Sequence, residues 1–337
     1  MRTLRIAFDG FWRTFNPRDN FIVRALSEHF DVDVVPPDER TDIDALFYSV
    51  YSLRCLEYDC PRIFFTGENA FPDFNICDYG IGFETCAVGD RLFRYPVSLA
   101  DFHADYVAME RKNGSIPPDP FRRRFCAQVV SNAVHTDGFR DVFFRALCAY
   151  KPVDSGGRHL NNIGLPGGVP DKRAFLEGYK FSLAFENVSH PGYCTEKLAQ
   201  SFAAHTVPIY WGDPSVAESF NEKAFINVNS FATVEEAVSF IRKVDSDEAL
   251  YLSMLRAPAV LNEEARSECM DRAFSAWLLH IFDQPKERRY RKSPFGYEKM
   301  YTEQHRLLSR VLKMKQDFSF FGKARKVLFR IFFGFWL

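Results

Sequence analysis

Short apolar runs alternate with amphipathic stretches along this chain, and one charged, proline-rich segment interrupts them. "LRIAFDG" reads as a strand, "RDNFIVRALSEHF" as an amphipathic helix, and "DVDVV" and "DALFYSVY" as further strands. "RIFFTGENA" is a strand that ends in a glycine-containing turn, and "DYGIGF" and "RLFRYPV" add short apolar segments. Strand–helix alternation with short connections predicts a parallel α/β domain over residues 1–119. "RKNGSIPPDPFRRRF" then marks a linker, and its Arg122, Arg123 and Arg124 read as a solvated basic patch.

A second α/β unit, residues 120–290, follows. It runs through the strand "FCAQVVSN", the helix "GFRDVFFRALCAY", the loop "VDSGGRHLNNIGLPGG" and the strand "KFSLAFEN". A helix from Thr195 to about Ala204, the strands "TVPIYW" and "AFINVN", and the helix "TVEEAVSFIRKV" complete it. No repeat of fixed period is present. Two doubly wound domains in series predict a ligand cleft between them, at the carboxyl ends of the strands.

Size agrees with two domains: 337 residues, 47% of them hydrophobic, exceed what one small core needs. A net charge of −1 gives no global field for nucleic acid. The eight cysteines show no CxxC pair, which argues against a zinc site or a disulfide scaffold and for reduced, buried thiols. The first residues carry no basic-then-apolar leader, so cytoplasmic residence is the default expectation. Residues 291–337 differ from the rest. From Arg306 onward eight Lys/Arg face one acid, Asp317. Phe321, Ala324, Leu328, Ile331 and Phe335 recur at helical spacing beside Trp336, with Lys323, Lys326 and Arg330 to the other side. This pattern predicts a basic amphipathic helix lying on an anionic membrane surface; a helix packed on the protein's own core is the alternative.

Lys197 poses the sharpest chemical question. It falls in the first turn of a predicted helix, where a cation meets the positive end of the helix dipole. Thr195 is the expected N-cap, and Glu196 is favourable in the first turn. Lys197 therefore either points to water or has something negative beside it, and a phosphate would resolve the conflict. Arg140 repeats the arrangement at the start of "FRDVFFRAL", so a diphosphate is the simplest shared ligand. Neither helix follows GxGxxG or GxxxxGK[ST]. Glu186 and Asn187 end the strand before Lys197 and read as turn or site residues. "DSGGRHLNN" reads as a phosphate- or base-contacting loop or as plain surface. Glu68, after an apolar strand, is the candidate general base; burial among Phe64, Phe65 and Phe71 would raise its proton affinity toward the useful range. The D-x-D triplets Asp31/Asp33, Asp42/Asp44 and Asp245/Asp247 border element ends, and no metal site is expected from them. No HExxH or G-x-S-x-G motif is present.

"YKFSLAFENVSHPGYCTEKLAQSFAAHTVPIYWGDPSV" resembles the signature of the α-1,3/4-fucosyltransferases of glycosyltransferase family 10, as do "FFTGENAFPDFNICDYGIGF" and "FRRRFCAQVVSN" through Arg140. The likeness spans roughly residues 4–285 and is nearest to bacterial members. It implies a GT-B fold of two facing Rossmann-like domains, the first holding the acceptor and the second GDP-fucose. It implies inverting transfer of fucose from GDP-β-L-fucose to the GlcNAc of an N-acetyllactosamine-type glycan, as in Lewis x-like lipopolysaccharide O-antigens. By position, Glu68 matches the general base and Arg140 and Lys197 the diphosphate ligands. Tyr193 and Glu196 match nucleotide-sugar contacts, Glu196 near the ribose, and Asn187 lies in the matching FEN segment. Phe11, Trp12 and Asn69 are candidate acceptor contacts, with core packing equally open to the two aromatics. No cofactor is required on this reading, and stimulation by Mn2+ or Mg2+ stays open. The expected place is the inner face of a bacterial cytoplasmic membrane. Residues 286–316 lack the heptad repeats of some relatives, so coiled-coil dimerisation is not implied. A transferase for another GDP-sugar and a non-catalytic, membrane-associated glycan-binding protein are the competing readings.

Overall fold

The computed structural model describes residues 1–36, 38–39, 41–112, 114, 116–131, 136, 138–260, 262–293 and 295–317. The first sheet contains β1 (Thr3–Asp9), β2 (Asp31–Val34), β3 (Ala45–Tyr48), β4 (Arg62–Phe65), β5 (Tyr79–Gly82) and β6 (Leu92–Arg94). The strands are all parallel, in the order β2-β1-β3-β4-β5-β6. The centre of the sheet is covered on both faces, so β3 and β4 are buried throughout, β3 wholly apolar and β4 apolar after Arg62. Between β1 and β2, α1 (Phe21–Ser27) starts at Asn20, whose Oδ1 accepts from the Ile22 and Val23 amides.

Helix α2 (Val97–Glu110) follows β6 and was not expected from the sequence. The second sheet contains β7 (Arg124–Gln128), β8 (Val153–Ser155), β9 (Tyr179–Phe185), β10 (Val207–Trp211) and β11 (Ile226–Asn227), parallel in the order β11-β10-β9-β7-β8. Its connections are α3 (Phe139–Cys148), α4 (Lys172–Leu176) and α5 (Glu196–Ala203). Then come α6 (Val234–Ser246), α7 (Glu248–Arg256), α8 (Ser267–Asp283) and α9 (Glu298–Asp317). In each sheet the strand order reverses once, between β1 and β3 and between β7 and β9. The carboxyl ends at those reversals are where crevices open.

Chain order and packing part company at the ends of both units. Helix α2 packs on α5 of the second unit, where Gln200 Nε2 donates to Asp105 Oδ2 at 3.0 Å. Residues 267–317, expected to finish the second domain and open the tail, lie against the first. Phe274, Leu278, Ile281 and Phe282 of α8 join Phe21, Ile22 and Leu26 of α1 in one apolar cluster. Tyr95 and Trp277 fasten α8 through Asp271 and the Asp90 carbonyl. Glu298 of α9 pairs with buried Arg62 at 2.8 Å. An amphipathic pattern states that a helix has an apolar face, not which sheet will cover it.

The basic patch is solvated at Arg122 and Arg124, as expected, but Arg123 turns inward. Arg123 donates to the carbonyls of Glu177, Ala204 and His205, and Arg124 pairs with Asp154 while stacking on Tyr179. Among the described residues, no helix is long and apolar enough to cross a membrane. Phe321, Lys323, Ala324, Lys326, Leu328, Arg330, Ile331, Phe335 and Trp336 lie outside the described residues.

Candidate active site

Glu186 follows β9 directly and has no solvent exposure. Its Oε1 accepts from the Thr195 amide at 2.8 Å, and its Oε2 accepts from Thr195 Oγ1 at 2.7 Å and Lys197 Nζ at 2.9 Å. The counter-charge of Lys197 is therefore built into the chain, and Glu186 is no turn residue. Thr195 occupies the N-cap position, but its hydroxyl donates to Glu186 and accepts from Lys197 Nζ at 2.8 Å instead of capping a first-turn amide. The packing is tight enough to need glycine on the next strand end. Gly212 has φ +152°, and a Cβ there would sit 2.4 Å from Glu186 Cγ.

Burial disfavours the Lys197 ammonium, yet Glu186, Glu196 and Tyr193 outweigh it and hold the group protonated far above the ordinary lysine range. Glu196 lies 3.5 Å from Lys197 Nζ. Burial alone would raise its carboxyl, but Lys197 and Lys172 pull it down to about 2. Lys172, at the start of α4, is a third cation here; burial and Lys197 depress its own proton affinity.

Arg140 is the second residue of α3 and is almost fully buried. Its Nη1 donates to Asn187 Oδ1 at 2.9 Å. Arg140 and Lys197 are thus tied to consecutive residues, Asn187 and Glu186, at the switch point of the second sheet. No side chain of the capping residues Gly138 and Thr195 accepts from the first-turn amides of α3 or α5. Two helix N-termini and two cations therefore converge on the end of one strand, a favourable place for an anion.

The loop before α5 carries the site across to the first domain. Gly192 has φ +82°, and a Cβ on it would meet the Phe83 carbonyl oxygen at 2.3 Å. Tyr193 packs edge-on against Phe83, and its hydroxyl reaches to 3.5 Å from the Gly67 carbonyl oxygen. Burial raises the Tyr193 phenol first, and the carboxylates of Glu186, Glu68 and Glu196 add to this, so one hydroxyl feels both halves of the cleft.

Glu68 stands at the carboxyl end of β4, as expected, but not among Phe64, Phe65 and Phe71. Phe64 and Phe65 turn into the core, Phe71 is 48% exposed, and the Glu68 side chain is open to solvent. Its carboxylate takes a hydrogen bond from the Tyr51 hydroxyl at 3.0 Å. Asn69 beside it is exposed. Phe11 and Trp12 are half-buried members of an aromatic cluster with Phe8, Phe15 and Phe65; Phe11 stacks on Phe15 at 4.1 Å. That packing favours the core role the sequence left open for them.

The glycine-rich loop holds the protein to itself. A Cβ on Gly157 would overlap the Val130 carbonyl oxygen at 1.9 Å, His159 pairs with Asp141 of α3 at 2.8 Å, and Asn162 Oδ1 accepts from the Ser155 amide. The paired aspartates have partners too: Asp33 and Asp42 with Arg5, Asp44 with Arg289, Asp245 with Lys151 and Lys180, while Asp247 caps α7. Lys172 and Tyr51 are the residues here that the sequence did not single out, and Glu186, left open between turn and site, takes the buried role. Only the length of the apolar run into Glu186 hinted at its burial.

Two parallel-sheet domains, facing each other across Arg140, Lys197 and Glu68, have the GT-B architecture. Residues 6–100 match the family model of the alpha-(1,3)-fucosyltransferase FucT N-terminal domain, and residues 120–272 that of glycosyltransferase family 10 (fucosyltransferase), C-terminal part. The chain belongs to glycosyltransferase family 10, the fucosyltransferases. It is 36% identical over 233 residues to alpha-(1,3)-fucosyltransferase FucT of Helicobacter pylori, covering 60% of this chain and 48% of that protein. It is 32% identical over 199 residues to human 3-galactosyl-N-acetylglucosaminide 4-alpha-L-fucosyltransferase FUT3, covering 56% of this chain and 54% of that one. The chain thus spans about half the length of these relatives. A crystal structure of an alpha1,3-fucosyltransferase with GDP-fucose superposes with a TM-score of 0.71 at 28% identity, over 84% of this chain and 92% of that one.

Proposed function

We propose that the chain is an inverting α-1,3-fucosyltransferase that moves L-fucose from GDP-β-L-fucose to the GlcNAc of N-acetyllactosamine-type glycans. The observation that carries this is the anchoring of Arg140 and Lys197 on Asn187 and Glu186, across the cleft from Glu68. As the fucose–phosphate bond breaks, negative charge grows on GDP and positive charge on the sugar. Fixed cations and helix N-termini stabilise the leaving diphosphate without reorganising. Glu68 accepts the proton of the acceptor hydroxyl while that oxygen bonds to the anomeric carbon. One displacement inverts the centre and uses no enzyme nucleophile. Glu196 and Tyr193 serve as nucleotide-sugar contacts, and Asn187 acts by holding Arg140.

The reading requires no resident cofactor; Mn2+ or Mg2+ would enter as a stimulant of an already cationic site. The basic aromatic segment 318–337 supports a peripheral place on the inner face of a bacterial cytoplasmic membrane, beside lipid-linked or lipopolysaccharide acceptors. GDP-fucose with a panel of type 1 and type 2 lactosamine acceptors tests the activity, with linkage and anomeric configuration read by NMR. An α-1,3-fucosylated GlcNAc is the expected product. Exclusive 1,4-linkage overturns the linkage, and transfer from GDP-mannose in preference to GDP-fucose overturns the donor.

A further inference from the structure

We infer that Tyr51 is a positioning residue for the transfer, holding the Glu68 carboxylate in the orientation from which it takes the acceptor's proton; this rests on Glu68 being the base. Tyr51 is set by backbone rather than by packing. Ser49 donates its amide to the Asp9 carbonyl at 3.0 Å, and Tyr51 donates its own to the Gly10 carbonyl at 3.0 Å. Gly10, at φ +70°, would place a Cβ 2.8 Å from the Ser49 carbonyl oxygen, so the loop after β3 lies directly on the end of β1. The ring itself is 57% exposed. Its hydroxyl donates to Glu68 Oε1 at 3.0 Å.

Glu68 needs such a partner. Its backbone is fixed, because its amide donates to Thr66 Oγ1 and its carbonyl accepts from the Ala70 amide. Its side chain is exposed, and a long exposed side chain samples many rotamers unless something holds it. Tyr51 and Tyr193 face it, and Tyr51 alone among the described residues hydrogen-bonds its carboxylate. With Oε1 occupied, Oε2 remains for the acceptor hydroxyl. A hydroxyl that donates to a carboxylate also favours its charged, proton-accepting form. The contact assigned to Tyr51 is with the base itself, so its effect falls on the chemical step.

Tyr51→Phe in the full chain keeps the ring and removes the hydroxyl. The expected result is kcat lower by about tenfold, acceptor KM within twofold, GDP affinity by calorimetry as in wild type, and the acidic limb of the kcat profile displaced to higher pH. Wild-type kcat with an unmoved limb overturns the inference, as does a uniform loss at every pH with the limb unmoved, which is what a merely structural contact gives. Glu68→Gln separates the two layers. If it retains turnover, the base reading falls and this inference with it. If it is inactive while Tyr51→Phe matches wild type, this inference alone falls.

Discussion

Lys197 and Glu186 form an ion pair at 2.9 Å in which the Glu186 side chain is wholly shielded from water and the Lys197 side chain keeps 19% of its surface. The lysine thus faces inward for its charge balance and outward for a ligand. Removing it leaves a buried, uncompensated carboxylate, which costs roughly 3–5 kcal/mol. Lys197→Ala should lower the melting temperature and weaken GDP binding at least tenfold by calorimetry. Lys197→Ala with Glu186→Gln should regain most of the melting temperature and none of the affinity. Recovery of both together would remove Lys197 from the donor site.

Glu196 gives a pH test. Its carboxyl is held at about 2 in the folded chain, below its ordinary 4.5. A depressed acid contributes stability that is complete above the unfolded value and lost as pH falls through the window from about 4.5 to about 2. Glu196→Gln should flatten the fall of melting temperature across that window and leave it unchanged in slope above pH 5. An acid limb as steep as wild type contradicts the assignment.

Glu68→Ala should reduce turnover by about 10²–10⁴ while GDP still binds with wild-type affinity. Rates from single-turnover assays and affinities from calorimetry check the two halves separately. Equal turnover in mutant and wild type would support a glycan-binding protein in which Glu68 does no chemistry.

Metal removal is expected to leave transfer running. Dialysis against EDTA followed by assay with and without added Mn2+ measures it. Complete loss, restored by Mn2+, would show that the cation is required rather than a stimulant.

Deleting residues 318–337 should release the protein from vesicles containing anionic phospholipid and leave transfer to soluble acceptors intact. Sedimentation with vesicles, at low and high salt, is the measurement. Undiminished binding after the deletion would exclude this segment as the anchor.

The strands were legible because buried parallel strands are dominated by apolar residues, and β1, β4 and β9 are, with Arg5, Arg62 and Lys180 among the exceptions. Helices were legible where a cap and a stripe coincide, as at Asn20 for α1 and Thr233 for α6. Helix α2 was not. It starts after Pro96 without a side-chain cap, leaves helical geometry at Phe102, and has apolar residues on more than one side. The strand β8 was hidden in a glycine-rich stretch because only Val153–Ser155 pairs. In the site, the local signal of a first-turn cation singled out Lys197 and Arg140, and the structure brings both to one strand end. The pairing itself stayed hidden because Glu186 and Asn187 meet them across 11 and 47 residues of chain. Tyr51 and Glu68 likewise meet only when β3 and β4 lie side by side.

Because α8 completes the apolar cluster that α1 begins, the amino-terminal half of the chain emerges from the ribosome unfinished. At 5–20 residues per second, the stretch from α2 to the end of α8 takes roughly 10–35 s to synthesise. Until the end of that interval Phe21, Ile22 and Leu26 lack the part of their cover that α8 supplies, while the later sheet has every strand once Asn227 is made. The half written second is the one able to fold first, and the nascent first half is the natural client for a chaperone.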